Sequence, residues 1–338
     1  MECLPPPRSG RLSRIPVVAL ILIVAAAMHR PAAAEVGCRI APPPAEALDV
    51  DGFYADPAGR RVDPARRAAR DRAVAVYEAV VRAVQAGADD YALGGDAAAG
   101  TCALDQLRAW ARGGVLVGAL VTRQGDYERA WYLTGLALAY LKLRPLAGHD
   151  RAVEDWLRAM ADGVVEAIDR DRIPANNLLY WSGLALAASG LATGSQTHLA
   201  RGQTILTAGL AAVDADGSLK AELDRGAKAL DYHAFAAAPL VLLAVIADAR
   251  RMPFDRSALD RLGRFVLAGI ADPATLQRRT GHVQSRPEAW TLAWLPAYAS
   301  LIPTRPLPTR PLPAHATRSH FLGGDIGATL AAIRSGIR

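Results

Sequence analysis

The stretch that decides the fold is "LTGLALAYLKLRPLAGHDRAVEDWLRAMADGVVEAIDR", residues 133–170. Leu133, Leu136, Ala137, Tyr140 and Leu141 recur at the spacing of one helical face, and Leu157, Met160, Ala161, Val164, Val165 and Ile168 do so again. Between them "RPLAGHD" supplies the proline, glycine and aspartate of a short turn. Two amphipathic helices joined by so few residues fold back on each other. The same rhythm continues outward. It predicts helices near 67–86, 102–118, 176–192, 197–213, 220–233, 236–250, 257–270 and 287–300, with turns such as "DADGS" and "RMPFD" between them. Alternating strand patterns are almost absent and no hydrophilic linker divides the chain, so one all-α domain is expected. Helix pairs repeated around a ring make an (α/α) toroid with a cleft at one end. A stacked solenoid is the rival, but no fixed repeat of roughly 33–47 residues is present.

The two ends of the chain read differently. Arg8, Arg11 and Arg14 precede the apolar run "IPVVALILIVAAAM" and the alanines 32–34, the pattern of a secretory signal peptide over residues 1–34. The mature chain 35–338 is therefore expected in the periplasm or outside the cell. No later segment reads as long and apolar enough to span a bilayer, so no membrane association is expected once the signal is removed. Its loss lowers the net charge from +6 to +3, because the segment carries Arg8, Arg11, Arg14 and Arg30 against Glu2 alone. Only Lys142, Lys220 and Lys228 accompany the arginines, and no basic stripe is interleaved with aromatics, which excludes an ordinary nucleic-acid surface. An anionic polymer outside the cytoplasm is the better partner. Cys38 and Cys102 remain after signal removal and most simply form one disulfide, tying a proline-rich arm (35–65) to a helix. Their spacing does not suit a metal site. No metal, no cofactor and a monomer are expected. Near the C-terminus "PTRPLPTRPLP" (303–313) predicts an extended connector.

Polar chemistry concentrates in two places. In "PANNLLYWS" (174–182), Asn176 suits a helix N-cap, while Asn177 and Trp181 are i, i+4 neighbours with Tyr180 alongside. A core role for Trp181 is the plain alternative. In "KAELDRGAKALDYHAFAAAP" (220–239), Arg225 and Tyr232 stand two turns apart and share a face if the helix runs through to Tyr232. A solvated arginine and a rim tyrosine would satisfy the same pattern.

With these stretches in view, the chain resembles the alginate lyases of polysaccharide lyase family 5, the poly(β-D-mannuronate) lyases. The matching segments run in order through the mature chain: "CALDQLRAWARGGVL" (102–116), "NNLLYW" (176–181), "DGSLKAELDRGAKALDYHAFAAAPL" (216–240), "RTGHVQ" (279–284), "AWLPAYA" (293–299) and "FLGGD" (321–325). The resemblance implies an incomplete (α/α) toroid whose cleft binds a uronate polymer and cleaves it by β-elimination. It assigns the catalytic tyrosine to Tyr232, and carboxylate binding to Arg225 and Asn177. Trp181 becomes a cleft tryptophan, with Tyr180 and Asn176 beside it on the substrate side, and His233 follows the tyrosine as it does in the family.

Three positions depart from the family pattern. Leu178 stands where the family has a catalytic histidine, and leucine neither donates a hydrogen bond nor carries charge. No lysine precedes Lys142, where the family uses an early one, leaving Arg66, Arg67 or Arg70 to replace it. Phe321 occupies the place of an arginine before "LGGD". Two functions follow: an exported polyuronate lyase, or a degenerate lyase fold that binds an acidic exopolysaccharide without cutting it. A glycosidase would need two carboxylates facing across a bond, and Asp214, Asp216 and Glu222 cluster around one turn.

Overall fold

The computed structural model describes Met1 and residues 38–44, 47–303 and 314–336. The signal segment beyond Met1 and residues 304–313 of the connector lie outside the described residues.

Asp63 caps the first helix by accepting from Ala65 and Arg66 N–H, with Pro64 at a position where no N–H is missed. This helix, α1, spans Pro64–Gly94 and turns at Gly95 into α2, Ala97–Arg112. The pair read from 133–170 is α3, Arg123–Ala147, and α4, Arg151–Asp169. Next come α5, Asn177–Thr193, and α6, Gln196–Ala211. The chain then makes α7, Lys220–Leu223, and a 3-10 turn, Gly226–Lys228, before α8, Ala229–Ala249, and α9, Arg256–Ala271. Shorter helices α10 (Pro273–Thr280), α11 (Leu295–Leu301) and α12 (Ile326–Ser335) complete the described chain. The two-residue strands β1, Arg318–Ser319, and β2, Gly324–Asp325, pair antiparallel.

Packing sorts these helices into two rings. Helices α1, α3, α5 and α8 contact one another in succession, and α2, α4, α6 and α9 pack outside them, which makes an incomplete (α/α) toroid. Inner α5 and α8 are apolar on nearly every side because both of their sides are covered; α5 is buried from Tyr180 through Thr193. Outer α4 buries Val153, Leu157, Met160 and Val164 and leaves Asp155 exposed. Three sequence expectations need correction. The helix predicted at 287–300 is a 3-10 turn, Ala289–Leu292, followed by the short α11. The helices predicted at 220–233 and 236–250 are redistributed: Gly226 breaks the first, and α8 runs unbroken through Pro239. Residues Gly226–Ala249 are also long and apolar enough to cross a membrane, at mean hydropathy 1.8, contrary to expectation; 83% of their most apolar 18-residue stretch is buried in the protein.

Two ties bind distant parts of the chain. Cys38 and Cys102 form the disulfide, across a sequence separation of 64. It pins the arm to α2, where Gln106 also exchanges two hydrogen bonds with Ala41. Reducing it is expected to cost about 4 kcal/mol on the loop-entropy model. Denaturant titrations with and without reductant measure that loss; equal midpoints would show that the bond contributes nothing. Second, the buried Asp89 on α1 accepts from Lys142 of α3 at 2.5 Å and from Arg318 at 2.6 Å. Lys142 also reaches the Gly323 carbonyl at 2.7 Å, and Asp89 accepts from Asp325 N–H. This tether holds the segment carrying His320 and Phe321 against the inner helices.

Candidate active site

At one end of the toroid lies a cleft of about 1550 Å³, larger than a pocket for one small ligand. Two helix starts and one bend deliver its polar groups. Asn176 caps α5 by accepting from Leu178 N–H at 2.9 Å. Glu222 of α7 is fully buried at the same helix end and accepts from Asn177 N–H (2.9 Å) and from Asn177 Nδ2 (3.0 and 3.1 Å). An anion there meets the positive end of the helix dipole. Burial still pushes the Glu222 pKa up, against the pull of the Asn177 bonds.

The bend after α7 sets the angle between Arg225 and Tyr232. Gly226 sits at φ 61°, where a Cβ would meet the His282 ring at 3.0 Å. Gln284 holds the bend, donating to the Gly226 carbonyl and accepting from Leu230 N–H, both at 3.1 Å. Arg225 and Tyr232 therefore do not share a continuous helix. They meet across the bend, with the Arg225 guanidinium carbon 4.1 Å from the Tyr232 ring centroid.

The arm covers them. Tyr54 hydrogen-bonds through its hydroxyl to the Tyr232 hydroxyl, and Arg225 Nη1 donates to the carbonyls of Ala58 and Gly59 at 3.3 Å. Arg60 Nε reaches the Asp224 carbonyl at 2.8 Å, and Lys228 Nζ lies 5.2 Å from the Tyr54 ring. Gly59 is buried beneath this roof at φ 65°, and a Cβ there would fall 1.8 Å from Arg225 Nη1. Burial raises the Tyr232 pKa well above the ordinary phenol; the Arg225 cation pulls the other way. Tyr54 is raised as well, again by burial first.

Asn176, Asn177, Leu178, Arg225 and Tyr232 thus line one cleft. Tyr180, Trp181 and His233, expected on the substrate side, do not. Because α5 runs from the cleft into the core, Trp181 lies one turn deeper than Asn177. It is 1% exposed behind Phe235 and Phe321. Tyr180 is buried, which raises its pKa to about 12. His233 is fully buried and structural: Nδ1 donates to the Ala229 carbonyl at 2.6 Å and Nε2 accepts from Leu219 N–H at 2.9 Å. Burial lowers its pKa to about 4, so the ring stays neutral.

The role expected of Asn177 also changes. Both its donors go to Glu222, and the atom left buried and unpartnered is the acceptor Oδ1. An acceptor takes a sugar hydroxyl or a protonated carboxyl, not a carboxylate. Arg66, Arg67 and Arg70 all line the cleft, but each is engaged: Arg66 on the Tyr54 carbonyl, Arg67 with Asp71, and Arg70 in two 2.8 Å bonds to buried Glu128. Acids lining the cleft outnumber its cations: Asp49, Asp51, Asp56, Asp71, Glu78, Asp224, Asp231 and Glu288 against Arg66, Arg67, Arg70, Arg82, Arg225 and Lys228. The carboxylates considered for a glycosidase are not opposed across it. Asp216 pairs with Arg279, and Glu222 is enclosed with Asn177.

Tyr54 is the site residue that sequence reasoning missed, and Glu222, considered there only as a glycosidase acid, is the partner of Asn177. The signal for Tyr54 was "GFY", which holds the only aromatic residues of the arm 35–65.

Comparison with known proteins identifies the family. The alginate lyase family model matches residues 47–276. A polysaccharide lyase from Stenotrophomonas maltophilia is 34% identical over 317 residues, covering 91% of this chain and 95% of its own. An alginate lyase from Pseudomonas fluorescens is 35% identical over 222 residues, 61% of this chain and 59% of the relative. Among solved structures, alginate lyase A1-III from Sphingomonas species A1 superposes with TM-score 0.69 at 18% identity, covering 87% of this chain and 86% of that one. A variant of that enzyme in complex with a tetrasaccharide gives 0.70 at 19% identity over the same shares. With two thirds of its length matched by the family model and a long relative above 30% identity, the chain belongs to the alginate lyase family.

Proposed function

We propose that the protein is an exported polysaccharide lyase that cleaves a uronate polymer by β-elimination, with Tyr232 as base and then acid. The observation that carries this is the convergence of the Tyr232 hydroxyl and the Arg225 cation on one cleft of an alginate-lyase-family chain. The Tyr232 phenolate takes the C5 proton, and Arg225 offsets the charge that spreads onto the carboxylate. The C4–O4 bond then breaks, the C4=C5 double bond forms, and the Tyr232 hydroxyl returns its proton to O4. In mannuronate the C5 proton and O4 lie on one face, so one residue serves both steps. Glu222 holds the Asn177 amide in place behind the cleft wall. The signal-like segment 1–34 and the paired cysteines support a periplasmic or secreted location.

A second function is favoured by Leu178 and Phe321, which line the cleft where the resemblance places a histidine and an arginine. In that case the fold holds an acidic polysaccharide without cutting it. The test is absorbance of unsaturated uronate ends with polymannuronate, polyguluronate and glucuronan in parallel, for wild type and Leu178→His. Slow elimination is expected from wild type, and the histidine should raise it by about 10–10³, mainly in kcat. Binding without elimination by either protein would leave the fold a binding module.

A further inference from the structure

We infer that the pyranose unit seated beside the cleaved uronate is uncharged at C6, either a neutral hexose or a uronate whose carboxyl is esterified. The natural substrate is then an acidic polymer of diluted charge. This rests on the lyase chemistry proposed above. Beyond Tyr232 the cleft wall becomes a run of aromatic rings. Phe235 lies 6.2 Å from Tyr232, Trp290 lies 6.0 Å from Phe235, and Phe321 lies 5.4 Å from Trp290. His320 lies 3.9 Å from Phe321, tilted by 43°, and extends the run as a neutral ring, since burial and Arg82 lower its pKa to about 3. All five line the cleft.

The cations near this platform are shared with acids. Arg70 is bound to Glu128, and Arg82, 3.5 Å from His320 Nε2, pairs with Glu78 at 3.4 Å. Glu288 is anchored beside it, accepting from Trp290 Nε1 at 2.6 Å. A carboxylate placed on these rings would lose water, compete with Glu78 for Arg82 and face Glu288. An uncharged pyranose presents C–H faces that aromatic rings cover well. Leu178, one turn before the Trp181 that backs Phe235 and Phe321, continues the apolar surface toward Tyr232.

The test compares initial elimination rates, per remaining uronate, on polymannuronate and on two derivatives of it. One has part of its carboxyls reduced to hydroxymethyl groups and the other has part of them methyl-esterified. Wild type should cleave at least one derivative about tenfold faster than the parent polymer, and which one identifies the neutral group. Phe321→Arg should shift that ratio back toward the parent by a similar factor. Half-buried Trp290→Ala should weaken use of the derivatives, and it keeps the test valid if the arginine variant fails to fold. Faster cleavage of the parent by wild type, with a ratio unmoved in both variants, would overturn the inference and leave the lyase chemistry standing. If no polymer yields unsaturated ends, the lyase chemistry fails instead. Binding of the same three polymers then decides this point: tighter retention of a derivative supports it and tighter retention of the parent overturns it.

Discussion

Replacing Tyr232 by phenylalanine is expected to stop elimination while leaving polymer binding nearly intact. The change deletes one hydroxyl and keeps the ring that Arg225 lies over at 4.1 Å. Proton transfer by a positioned side chain is worth about 10²–10⁴ at each use, and this hydroxyl is used twice, so the loss should exceed about 10⁴ in kcat with little change in KM. The pH profile gives a second check. Burial holds the Tyr232 pKa above that of a free phenol, so the phenolate fraction, and with it the wild-type rate, should climb with pH through the neutral range. That climb should vanish in the variant. Unchanged activity in Tyr232→Phe would remove Tyr232 from the mechanism even in an active lyase.

The largest effect on stability is expected at Lys142, which is fully buried. Lys142→Met removes the 2.5 Å partner of Asp89 and the donor to the Gly323 carbonyl, leaving a buried carboxylate short of positive charge. Breaking such a pair costs about 3–5 kcal/mol, whereas replacing both partners by apolar groups is far cheaper. The urea midpoint should fall with m unchanged, and adding Asp89→Leu should recover part of the loss. A decrease below about 1 kcal/mol would mean that Arg318 and Asp325 N–H satisfy Asp89 without the lysine.

The helix pairs were legible because burial on one face writes a 3.6-residue rhythm into outer helices such as α4, and turn residues end it. The Asn176 cap was legible because its chemistry is local. What escaped were features decided by contacts distant in sequence. Nothing local forces the break at Gly226; it follows from the His282 ring and Gln284, more than fifty residues on. Pro239 suggests a boundary, yet α8 passes through it because both sides of that helix are packed. Trp181 was ambiguous for the same reason. Periodicity shows which face of a helix a residue occupies, but not how deep along the axis the cleft ends. The covering of Tyr232 by Tyr54 joins residues 178 positions apart, and only the assembled fold shows it.

Gly59 bears on how the protein can change. It contributes no side chain, yet the roof closes over Arg225 only because nothing projects from that position. Another aromatic ring at Tyr54 would leave that contact alone. At 59 any side chain would displace the guanidinium or lift the arm. The tightest restriction on drift in this cleft therefore falls on the residue with the least chemistry, and variation around the site has to accumulate on walls that leave that contact alone.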